Sequence, residues 1–205
     1  TIHMIGHGHI DPTWLWRWTE GYEEVRATFR SALERMKETP QFRFTASSAC
    51  FYTWVKQVDP DMFDEIRTRV GEGRWEVVGG WWIEPDCNIP AGESFVRQGL
   101  YAQRFFEREF GKKARVGFNP DSFGHAGTFP QLYKKMGIDY YVYMRPAPVT
   151  VTSWIVAVVP GPSMTAPPFC APMMVTSWMK ACPACEAKAA PTRTAMPDCT
   201  PLIGW

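Results

Sequence analysis

The sequence predicts an α/β fold built on a parallel sheet, either open or closed into a barrel. Three observations carry this. Five short apolar runs punctuate the first 146 residues, segments with helical periodicity lie between them, and each chemically suggestive segment directly follows one of the runs. Parallel strands need long crossover connections, which the intervening helices supply. In such folds ligands bind at the carboxyl ends of the strands.

The first predicted strand is 2–6. Behind it, Tyr22, Val25, Phe29, Leu33 and Met36 fall on one face of a helix whose start carries Glu20, Glu23 and Glu24, where the helix dipole favours acids. The second strand is 42–46. Asp59-Pro60-Asp61 then reads as an N-cap with proline in the first helical position, and that helix stops between Gly71 and Gly73. A third strand covers 75–78, followed by a helix over 93–110 with Gly111 as its stop. The fourth strand, 115–118, precedes a helix over 129–136 closed by Gly137, and the fifth strand is 140–144.

The formal net charge of +1 in 205 residues leaves no electrostatic footprint for nucleic acid. No apolar stretch is long enough to span a bilayer, and no charged-then-apolar leader is visible, so a cytoplasmic location is expected. The chain opens at Thr1 inside a strand-like run, as if residues preceded it. Cys50 and Cys87 alone before residue 147 imply no disulfide framework.

The strand-end loops carry the chemistry. His7-Gly8-His9-Ile10-Asp11 places two imidazoles and a carboxylate at alternate positions, which on an extended chain point the same way. Such a donor set suits zinc or another divalent metal, cobalt included. Trp14, Trp16, Trp18, Trp81 and Trp82 sit beside these polar motifs, and their faces suit sugar rings. Ser47-Ser48 follows the second strand and Gly79-Gly80-Trp81-Trp82-Ile83-Glu84-Pro85-Asp86 the third. Asn119-Pro120-Asp121-Ser122-Phe123-Gly124-His125 follows the fourth, and Arg145-Pro146 the fifth. Arg145 reads most simply as a structural ion-pair partner, and Glu93 with Arg97 as an ordinary i,i+4 helix pair.

Three blocks, 7–16, 79–98 and 119–128, resemble the N-terminal catalytic domain of family 38 glycoside hydrolases, the retaining α-mannosidases, with the likeness strongest to the microbial branch. The resemblance covers residues 1 to about 146. It implies a seven-stranded β/α barrel, of which this chain supplies about five strands, and one zinc ion held by His9, Asp11 and Asp121. It further implies that Asp121 is the nucleophile on a mannose-containing oligosaccharide and that Trp14 stacks on the bound sugar. His7, Trp82, Asp86 and His125 are candidates for contacting sugar; a turn role for Asp86 and a structural role for His125 stand beside these. The family's fourth ligand, a histidine, and its acid/base aspartate lie downstream of the matched blocks and have no counterpart here.

Residues 147–205 differ in composition. Ten of the eighteen prolines and four of the six cysteines lie there, with no histidine and five charged residues. Prolines at 160, 162, 167, 168 and 172 oppose regular structure, so this stretch is expected to be an irregular tail, read as out-of-frame coding or else a Pro/Ala-rich linker. Cys182-Pro183-Ala184-Cys185 lacks the second pair a zinc knuckle needs. The leading expectation is therefore a zinc-dependent retaining α-mannosidase domain with little turnover of its own. A metal-dependent polysaccharide deacetylase, or a fragment that binds sugar or zinc without catalysis, are the alternatives.

Overall fold

A computed structural model describes residues 5–144, together with the backbone of 155–158. The elements follow in the order β1 (Gly6–His7), α1 (Trp18–Glu38), β2 (Phe44–Ala46), α2 (Ala49–Val58), α3 (Pro60–Gly71), β3 (Trp75–Val77), α4 (Gly92–Phe110), β4 (Val116–Asn119), α5 (Phe129–Met136), β5 (Tyr140–Tyr143) and β6 (Ile155–Val158).

The strands form two three-stranded ladders. In the first, β1, β2 and β3 run parallel in that order, with Phe44 opposite both Gly6 and Trp75. In the second, β5 pairs parallel with β4 on one side and antiparallel with β6 on the other. The ladders meet where the Gly79 N–H donates to the Val116 carbonyl at 2.7 Å. Val78 packs there against Val116, Phe118 and Val142. Strand–helix alternation with parallel pairing is thus observed through β5. A closed ring is not seen among the described residues, and β6 departs from the all-parallel expectation. It also lies inside the stretch expected to be irregular: its residues Ile-Val-Ala-Val suit a strand and precede the proline series that begins at Pro160. That series, the 182–185 cysteine motif and Arg145 lie outside the described residues.

One helix was not foreseen. α2 follows β2 after only Ser47 and Ser48 and is joined to α3 by Asp59 alone, whose carboxylate caps α3 by accepting from the Met62 N–H at 3.0 Å. The core gathers around Trp75, wholly buried between Phe29, Phe44 and Tyr52. Its indole N–H donates to the Tyr52 hydroxyl, which donates in turn to the Ala46 carbonyl. A chain of satisfied polar atoms therefore crosses the apolar layer without an orphaned donor.

Helix α1 packs close to the first strand-end loop because Gly21 is buried on its inner side: a Cβ there would collide with the Pro12 carbonyl. That approach sets the path of the loop carrying His9 and Asp11.

Candidate active site and metal centre

The loop after β1 brings His9 and Asp11 together, with His9 Nε2 3.2 Å from Asp11 Oδ1. The loop after β4 adds Asp121, whose Oδ2 lies 3.9 Å from the same nitrogen. One donor atom from each of the three residues lies within 4.8 Å of the others. An imidazole nitrogen and two carboxylate oxygens facing one point form a donor set that fits a zinc-like divalent cation.

A fourth side chain completes this centre. Glu84 Oε2 stands 3.3 Å from His9 Nδ1, the ring nitrogen turned away from the two aspartates. Its Oε1 accepts the Asp121 backbone N–H at 3.0 Å, and its own N–H donates to Ser48 Oγ at 3.2 Å. The hydrogen bond to Glu84 raises the His9 pKa; burial opposes that shift, and the Glu84, Asp11 and Asp121 charges reinforce it. Three acids around one imidazole leave the centre short of positive charge.

These residues line a cleft of about 330 Å³ that also includes Pro12, Thr13, Trp14, Ser48, Asp86, Ser122 and Phe123. Trp14 is 66 % exposed, edge-on to Trp16. An open aromatic face therefore stands beside a polar floor, an arrangement that suits a carbohydrate. Asp86 lines the cleft, but its Oδ1 accepts the Asn88 and Ile89 N–H groups, which hold its carboxyl below the usual range. A carboxyl kept ionised in this way is a poor proton donor at neutral pH.

Three residues expected at the sugar lie outside this cleft. His7 turns between strands, its Nδ1 3.0 Å from the Thr45 carbonyl oxygen and its ring against Phe118 at 4.5 Å. Burial lowers its pKa, so the ring sits there neutral. The alternation argument fails for His7 because the paired strand β1 ends at that residue and His9 lies in the loop beyond it. His125 is 2.7 Å from the Tyr141 hydroxyl and packs on Tyr141 and Tyr143. Trp82 lines a separate cleft with Lys56, Tyr101, Arg104 and Phe105, beyond the left-handed Gly79-Gly80 turn, while its neighbour Trp81 is buried in the core.

Behind the cleft, Cys87 is buried against Ser122 Oγ at 3.0 Å, and burial pushes its thiol up to about 11. That disfavours a thiolate nucleophile. Glu84 is the residue that sequence reasoning passed over. It lies in the strand-end block after β3, two positions before Asp86, and only its contacts with distant residues distinguish it.

The site is thus an acid-rich centre at the strand ends of a parallel β/α scaffold, beside an exposed tryptophan. The profile of the glycosyl hydrolases family 38 N-terminal domain matches residues 1–147, and the chain belongs to this family. It is 44 % identical over 144 residues to alpha-mannosidase G of Dictyostelium discoideum, covering 70 % of this chain and 13 % of that one. It is 40 % identical over 145 residues to human alpha-mannosidase 2C1, covering 71 % and 14 %. The crystal structure of an alpha-mannosidase from Enterococcus faecalis V583 superposes with a TM-score of 0.62 at 22 % identity, over 68 % of this chain and 16 % of that one, a likeness of fold. The chain thus spans about an eighth of the length of the curated relatives it matches. No helix among the described residues is long and apolar enough to cross a membrane.

Proposed function

We propose that this chain carries the zinc-gripping and nucleophile-bearing part of a retaining α-mannosidase site acting on terminal α-mannosides. The convergence of His9, Asp11 and Asp121 in one cleft supports the reading best, together with membership in an α-mannosidase family. His9 Nε2 and one oxygen from each aspartate would hold the ion. When bound, zinc supplies a Lewis acid that fixes vicinal sugar hydroxyls and favours a distorted ring.

The chain's own residues do the rest. Trp14 stacks on the sugar face, and Asp121 attacks the anomeric carbon. The new carbon–oxygen bond forms as the leaving-group bond breaks, and water later releases mannose with retained configuration. A proton for the leaving oxygen must come from a second acid. The pull of its two backbone donors on Asp86 argues against that residue, so slow turnover of ordinary mannosides by these 205 residues is the expectation.

A probe that needs no acid tests the nucleophile directly. A 5-fluoro-α-mannosyl fluoride loses fluoride without protonation, so the zinc-loaded chain should gain one fluoromannosyl mass, located by peptide mapping at Asp121. No adduct, or an adduct on another carboxylate, overturns the assignment.

A further inference from the structure

We propose that Glu84 is the positioning residue of the centre: it orients the His9 ring with Nε2 toward Asp11 and Asp121, and it holds the Asp121 loop in place. The inference rests on the metal-binding reading of His9, Asp11 and Asp121, and adds a residue that coordinates nothing itself.

The geometry is specific. Nε2 of His9 faces the two aspartates at 3.2 and 3.9 Å, so Nδ1 is left to Glu84 Oε2 at 3.3 Å. An imidazole that offers one nitrogen to a cation carries its proton on the other, and a carboxylate acceptor fixes both the tautomer and the ring plane while raising ligand basicity. The second oxygen of Glu84 accepts the Asp121 N–H, and its own N–H reaches Ser48 Oγ. One residue therefore joins the loops after β1, β2, β3 and β4.

The Ser48 end of this tie is held in a costly conformation. Ser48 is the one non-glycine residue with positive φ (+67°) among the described residues, and it is buried. Left-handed backbone at a serine persists only where surrounding contacts hold it, and Glu84 is one such contact. The Glu84 side chain is only 14 % exposed. His9 Nδ1 and the Asp121 N–H face different oxygens of Glu84, and an amide in the same rotamer would turn its NH2, a donor only, toward one of them.

The test uses the full chain and its Glu84→Ala, Glu84→Gln and His9→Ala variants, with cobalt(II) as the probe. Affinity is read from the visible spectrum and by competition with a chromophoric chelator. The nitrogen shifts of the metal-free His9 ring, read at a pH where it is neutral, report the tautomer. Glu84→Ala should weaken cobalt binding by about 10–100-fold and move the His9 proton from Nδ1 toward Nε2. Glu84→Gln, nearly the same shape, should also weaken binding and keeps the test valid should the alanine variant fold poorly. Unchanged affinity and tautomer in Glu84→Gln overturn the role of Glu84 while leaving the metal reading intact. A parent chain that binds no cobalt sinks the metal reading instead, and the tautomer shift then decides the role of Glu84 by itself.

Discussion

Trp81 donates its indole N–H to the side-chain oxygen of Asn119 at 2.9 Å, and the Tyr133 hydroxyl donates to the same oxygen at 3.0 Å. Trp81, Tyr133 and Asn119 are all buried. The bond ties the turn after β3 to the last residue of β4, two positions before Asp121. An Asn119→Ala chain leaves two buried donors without this acceptor, each costing about 1–3 kcal/mol. A loss of about 3 kcal/mol in urea unfolding is expected, together with weaker metal binding through displacement of Asp121. A change below about 1 kcal/mol would remove the pairing from any structural role.

Gly21 offers a test in which the sign of the effect decides. In an exposed helix interior, Gly→Ala stabilises by about 1 kcal/mol. In α1 the added methyl meets the Pro12 carbonyl, with the Asp11 carbonyl close behind. Gly21→Ala should therefore destabilise the fold and lower cobalt affinity, because relief comes only by moving the loop that bears Asp11. Calorimetry and metal titration of the same preparation check both parts.

Metal uptake should appear as stability. A cation present at a hundredfold excess over its dissociation constant adds about 2.7 kcal/mol to a fold that binds it only when native. Zinc or cobalt should raise the thermal midpoint of the parent chain, and a chelator should reverse the rise. Asp11→Asn, close in shape but a weaker donor, should abolish most of it. An equal rise in the variant would show that the cation binds elsewhere.

The half-buried His7 ring sets a pH dependence. Its folded pKa lies below the ordinary 6.5 because burial penalises the charged form, while the unfolded ring titrates near 6.5. The unfolded chain therefore binds the proton more readily, so this contribution is complete above about pH 6.5. It is lost as pH falls through the folded pKa, with a slope of up to about 1.4 kcal/mol per pH unit. His7→Gln should flatten the decline in unfolding free energy below pH 6.5. An unchanged slope would assign the acid sensitivity to other groups.

Much of this architecture is legible in the residues. Asp59-Pro60, Gly111 and Gly137 mark helix ends where the structure has them, because caps are local chemistry. The loops carrying His9, Asp11 and Asp121 converge as the strand-end rule expects. The misses have a common cause. α2 carries no strong boundary signal of its own, because only Ser47 and Ser48 separate this helix of 10 residues from β2 and only Asp59 separates it from α3. His7 and Trp82 face elsewhere because each sits at a strand end or turn, where the two-residue period no longer governs direction. Glu84 acts through contacts with residues 36 and 37 positions distant and with His9 farther still, which no local pattern encodes.

The single-residue junction between α2 and α3 has a consequence for how this scaffold tolerates change. Asp59 both terminates one helix and caps the next, so no slack exists to absorb a length difference. One inserted residue would turn α3 by about 100° about its axis and swing Ile66 and Val70 from the interior into water. Natural variation in segment length should therefore avoid this corner and collect in the strand-end loops, where substrate preference can drift without disturbing the frame.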